Sequence, residues 1–135
     1  TNIISELCKP FPDKNVMLKH DTNLEYSAIS AITWQELSYG INHMSDGKKK
    51  TALQKYRDDI VHETYDIISY DEHAAFIYGE LKEQLRKQGI VIEENDLQIA
   101  SIAVANNMIL VTRNIKHFCK IEKLMTENWF SLSAE

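Results

Sequence analysis

Most of the stretch from Leu97 to Val104, LQIASIAV, is apolar on every face. A helix without a polar stripe has to be buried on all sides. The run MILVT follows almost at once, at Met108 to Thr112, and reads as a short strand of the buried, parallel type. A buried helix feeding a buried strand calls for layers, with helices on a parallel sheet. The remaining periodicity agrees. Thr1 to Leu7 opens a helix that breaks at the loop CKPFPDKN, where Pro10 and Pro12 make the break firm. Asn15 to Lys19 reads as a short helix, and Glu25 to Ser30, EYSAIS, as a strand. Thr33 to Met44 is a helix with Trp34, Leu37, Ile41 and Met44 on one face.

SDGKKK reads as a turn before a helix over Thr51 to His62, and Asp66 to Ser69 as a strand. Ser69 and Glu72 have the spacing of a capping box, with Asp71 the other candidate cap. The helix they start carries Ala74, Ala75, Ile77, Tyr78, Leu81 and Leu85 inward and ends at Gly89. Asn95 to Asn107 is the next helix, capped by Asn95, and Met125 to Trp129 is a last strand. The chain has no repeat, linker or low-complexity tract, so residues 1–135 form a single α/β domain.

Size and charge narrow the function. A chain of 135 residues has a real core, burying about two-thirds of its unfolded surface. No apolar run is long enough to span a bilayer, and no signal-peptide pattern stands at the start. Cys8 and Cys119 show no disulfide framework, which points to a reduced, cytoplasmic setting. A net charge of −5 argues against a nonspecific nucleic-acid coat, though not against an enzyme that cuts nucleic acid at an acidic site. Lys48 to Lys50 form one basic run, and Arg113, Lys116, His117, Lys120 and Lys123 another group. Both read first as solvated faces.

The buried helix opens with Glu93, Glu94, Asn95 and Asp96. Capping and the helix dipole alone account for acids there. Topology adds a second reading, because open parallel sheets bind ligands beyond the carboxyl ends of their strands. Glu36 lies in the first turns of the helix after EYSAIS, Asp96 starts a helix, and Asn114 follows MILVT. All three can converge on one rim.

Four segments in order, TNIISELCKPFP, SAITWQELSYGI, NDLQIASIAVANNMILVTRNIKHF and IEKLMTENW, resemble the PIN-domain family, above all its VapC-type toxins from bacterial toxin–antitoxin modules. The likeness covers nearly the whole chain. It implies a three-layer α/β/α sandwich around a short parallel sheet. It also implies a nuclease that cleaves RNA with Mg²⁺ or Mn²⁺ at a ring of acids. The likeness puts Glu36 and Asp96 in that ring as metal ligands, with Asn114 where many members have Asp, and Thr112 as a hydroxyl on the same rim. Such a toxin has a small antitoxin as partner, RNA as substrate, and a homodimer as its usual state. Carboxylates crowded together repel and their pKa values rise; a cation relieves that cost.

One departure matters. The family motif reads Asp-Thr-Asn at the end of a first strand in the middle of the sheet, whereas this sequence begins at Thr1-Asn2. The first strand and its Asp are therefore expected to be missing, through a fragmentary sequence or a lost ligand. In the second case catalysis would be weak or absent and the sheet edges unpaired. A catalytically inactive module that binds antitoxin or RNA without cutting is the alternative this motivates, and a DNA-directed nuclease is a third reading. The tetrad HDTN, His20 to Asn23, reads as a polar turn and not as the motif. His117 and Cys119 are too few for a structural zinc site. No Ser-His-Asp or Gly-rich phosphate-loop pattern occurs. Trp34 and Trp129 read as core or interface anchors, Glu94 as a helix start or a further acid, and Asn2 as a weak site candidate.

Overall fold

The structure is a computed structural model and describes residues 2–130. Helices and short strands alternate: α1 (Asn2–Leu7), α2 (Lys14–Asn23), β1 (Ala28–Ser30), α3 (Ala31–His43), α4 (Lys48–Lys55), α5 (His62–Thr64), β2 (Asp66–Ile68), α6 (Glu72–Lys87), α7 (Glu94–Ala105), β3 (Leu110–Val111), α8 (Ile115–Phe118) and β4 (Thr126–Glu127). The fold is mixed α/β with short parallel strands. β1 pairs with β2 in parallel, Ile29 opposite Ile67, and β3 pairs with β4, Leu110 opposite Thr126. Among the described residues these remain two separate strand pairs.

Several boundaries differ from the sequence reading, each for a local reason. Every strand is shorter than its apolar run; EYSAIS keeps only Ala28–Ser30, because Leu24–Tyr26 winds into a tight helical turn. MILVT keeps only Leu110–Val111. HDTN is not a turn. It is the last part of α2, which outruns Asn15 to Lys19 because Asp13 caps it, accepting from the Asn15 and Val16 amides at 2.9 and 3.1 Å. α3 starts two residues before Thr33, since the Ser30 hydroxyl accepts from the Thr33 amide at 3.0 Å and turns strand directly into helix. The lysines of SDGKKK already belong to α4, which runs on through a wide turn, Tyr56–Val61, into α5. Asp71, not Ser69, caps α6, accepting from the Ala74 amide at 2.9 Å. Asn95 is not the cap of α7: Glu93 holds that position without a side-chain bond, and Asn95 lies in the first turn.

α7 is the central helix. Leu97, Ile99, Ala100, Ser101, Ile102 and Ala103 are all buried, and it packs on α6 and α3. Ser101 is tolerated there because its hydroxyl donates to the Leu97 carbonyl at 2.7 Å. Just past the end of the helix, Asn107 turns the chain with a φ of 54°, in the left-handed region that Asn accepts more readily than most residues. One apolar cluster joins Leu81 and Leu85 of α6 to Leu97, Ala100, Phe118 and Ile121. Trp129 is buried against Ile3 and Val16, and Trp34 packs at the edge of the Ile4, Ile29, Val61 and Tyr65 cluster. Cys8 and Cys119 are exposed and free. Among the described residues no helix is long and apolar enough to cross a membrane.

Tyr65 ties α2 to this core: its ring is buried and its hydroxyl meets His20 Nε2. Burial pushes the Tyr65 phenol up from 10.0 to about 12. A pKa raised on folding stabilises the fold below the unfolded value and loses that contribution as pH climbs through the folded one. Denaturant titrations from pH 9 to 12 should therefore show a loss approaching about 3 kcal/mol, and Tyr65→Phe should flatten that slope. An unchanged slope in the variant would assign the alkaline loss elsewhere.

Candidate active site

Two strand-to-helix junctions and the first turn of α7 build the site. β1 runs without a loop into α3, so Glu36 lies early in that helix, half-buried. β3 leads through Thr112, Arg113 and Asn114 into α8. Asp96 lies in the first turn of α7, where the positive end of the helix dipole favours a carboxylate. Glu36, Asp96, Thr112 and Asn114 all line one cavity of about 810 Å³ that opens between the two strand pairs. Its inner wall is apolar, with Ile29, Ile99, Ile102 and Leu110. Desolvated walls beside carboxylates strengthen any interaction with a cation.

The partners of each residue are specific. Thr112 is buried, its amide donates to the Glu127 carbonyl at 2.9 Å, and its hydroxyl accepts from the Asn114 amide at 3.0 Å. Thr112 thus shapes the turn that presents Asn114. Asn114 precedes α8 and its side chain makes no capping bond. Glu94 is directed away: it accepts from the Tyr78 hydroxyl at 2.6 Å and does not line the cavity. The Asn2 side chain, like Thr1, lies outside the described residues.

A second depression meets the first at Asp96, Arg113 and Asn114, and adds Glu93, Lys116, His117 and Asn128. The Arg113 guanidinium sits 4.6 Å from the centre of the Phe130 ring, a stacked placement that keeps the cation at the rim. Part of the basic group therefore borders the acids. His117 is the residue that sequence reasoning weighed with the wrong neighbour: the Cys119 thiol donates to the Lys116 carbonyl, while the His117 ring faces Asp96. The available signal was its position three residues after Asn114, one turn along α8.

The donors suit a hard divalent cation. Among the described residues no three His, Cys, Asp or Glu side chains form a ready-made cage. Mg²⁺ does not need one, since one or two carboxylates with water and phosphate hold it. Glu36 and Asp96 both line that cavity.

Comparison with known proteins gives a consistent answer. Residues 1–124 match the PIN domain. Ribonuclease VapC2 of Rickettsia felis is 45% identical over 102 residues, covering 76% of this chain and 73% of that protein. The crystal structure of VapBC2 from Rickettsia felis, bound to a DNA fragment from their promoter, matches with a TM-score of 0.82 at 37% identity, covering 95% of this chain and 94% of that one. FitAcB from Neisseria gonorrhoeae matches with a TM-score of 0.89 at 29% identity, over 97% and 96% of the two chains. A buried α7 between parallel strand pairs, an acid at its head and these relatives together make the chain a member of the PIN-domain family, in its VapC-type toxin ribonuclease branch.

Proposed function

We propose that the protein is an endoribonuclease dependent on Mg²⁺ or Mn²⁺ and the toxin of a toxin–antitoxin pair. The observation that carries this is the shared cavity: Glu36, Asp96, Thr112 and Asn114 all line it, as does Arg113. Asp96 and Glu36 hold the cation, directly or through water. A cation bound there supplies charge neutralisation for a scissile phosphodiester and lowers the pKa of water. Asn114, neutral and unengaged by capping, orients a water or a phosphate oxygen. Thr112 fixes the turn that aims Asn114. Arg113 and Lys116 face the RNA backbone across the acids, so the electrostatic attraction is local although the chain is acidic overall.

Similar solved structures are toxin–antitoxin complexes, which supports a small antitoxin as partner here, its tail covering the acidic rim. A homodimer and a cytoplasmic place of action complete the reading. The full architecture we infer is a three-layer α/β/α sandwich around a short parallel sheet. The apolar cavity walls, Ile29 on one side and Leu110 on the other, support that arrangement. Asn114, where an acid would add charge, is the observation behind a second reading, a module that binds antitoxin or RNA without cutting.

The test is cleavage of a structured RNA by the purified protein with Mg²⁺, with chelator, and with Glu36→Gln. Cleavage lost in chelator and reduced about 100-fold or more in the variant is the expected result. RNA binding without any metal-dependent cleavage would transfer support to the binding module. Preference for DNA in a parallel assay would overturn the substrate assignment.

A further inference from the structure

Asp96 Oδ2 and His117 Nε2 lie 2.9 Å apart, yet the pair is not a directed hydrogen bond. The ring nitrogen is shielded from solvent and has no hydrogen-bond partner. An imidazole and a carboxylate this close would ordinarily turn towards each other. Here both line the depression that also holds Glu93, Asn114 and Asn128, with Arg113 and Lys116 at its border. Two donors at this spacing have a natural occupant. Two ligands at right angles on an octahedral cation, each about 2.1 Å from it, are about 3.0 Å from one another.

We propose that His117 is a ligand alongside Asp96 and makes this site selective for Mn²⁺ over Mg²⁺. Mg²⁺ strongly prefers an all-oxygen shell, whereas imidazole suits first-row transition-metal ions. The scaffold supports the role. α8 is held by buried Phe118, whose ring meets the His117 ring edge-on at 5.2 Å, so the imidazole is braced and not free to sweep through solvent. The neighbouring thiol of Cys119 is occupied by the Lys116 carbonyl and takes no part. The proposal rests on the reading of Asp96 as a cation-facing acid and adds a residue and a metal preference to it.

The experiment is independent of catalysis. Mn²⁺ binding to the purified full chain is followed by electron paramagnetic resonance, with Mg²⁺ as competitor. Pulsed measurements on the bound ion then look for a directly coordinated ¹⁴N. The expected result is a Kd for Mn²⁺ about ten-fold or more below that for Mg²⁺, and a ¹⁴N signal that His117→Ala removes. The variant should bind Mn²⁺ about ten-fold more weakly while its Mg²⁺ affinity changes less than about two-fold. His117→Gln, an oxygen donor of similar reach, should erase the preference without loss of the fold, checked by thermal melting. Mn²⁺ bound through Asp96 with no nitrogen signal would overturn the role of His117 and leave the nuclease reading standing. Equal affinity for both ions in the unmodified protein would overturn the selectivity. RNA cleavage failing while the nitrogen signal persists would sink the nuclease reading alone.

Discussion

Asp96→Asn lowers the rate of RNA cleavage at saturating Mg²⁺ by about 1000-fold, equivalent to about 4 kcal/mol of transition-state stabilisation. Of the rim residues Asp96 should have the largest effect, because it is the acid that both depressions share and it sits in the first turn of the buried helix. The amide keeps the volume of the carboxylate while removing its charge and replacing one acceptor oxygen by a donor, so the loss reports electrostatics and ligation and not space filling. The stability cost is limited to the lost dipole interaction, about 0.5 kcal/mol. Single-turnover cleavage and thermal melting, measured side by side, check both halves. A variant that melts normally and still cleaves within ten-fold of the parent would remove Asp96 from the chemistry.

The second large effect concerns the gap between the strand pairs. β1 and β3 each have a neighbour on one side only among the described residues, and the cavity between them is lined by Ile29, Ile99, Ile102 and Leu110. A five-residue Ile/Val segment ending in Asp, joined immediately before Thr1, is expected to add a strand there. Apolar burial of about 2 kcal/mol per inward side chain, with new ladder hydrogen bonds, exceeds an ordering cost of 1–2 kcal/mol per residue by about 3 kcal/mol. For a domain of this size that is a rise in Tm of roughly 12 °C. RNA cleavage by the same samples is expected to rise with it, because Ile3 and Ile4 of α1 line the cavity and bring the added carboxylate towards its rim. A scrambled segment with polar residues at the inward positions is the control. No rise in Tm over the scramble would mean the cavity does not receive a strand.

Element types were readable wherever the pattern was long. The α6 stripe from Ala74 to Leu85, its end at Gly89 and the buried α7 follow from periodicity and from residues with one conformational use. Boundaries were less legible because a single side-chain hydrogen bond moves them. Asp13 stabilises α2 through HDTN and Ser30 starts α3 early, whereas Glu93 precedes α7 in place of Asn95 with no side-chain bond at all. Strand lengths were overestimated for a different reason. An apolar run continues past the residues that find a ladder partner, so MILVT is five apolar or near-apolar positions but only Leu110 and Val111 pair.

The candidate site divides in the same way. Glu36, Asp96 and Asn114 were visible one at a time, each from its place at the start of a helix or the end of a strand. Local pattern alone determined the mixed α/β class, the buried identity of α7 and the acid at its head. Only the tertiary structure decided which polar groups share a wall: that Thr112 holds the Asn114 turn, that Glu94 belongs to Tyr78, and that His117 faces Asp96. Periodicity reports which face of an element is buried, whereas contacts between residues distant in sequence depend on how separate elements pack, and no local propensity encodes that.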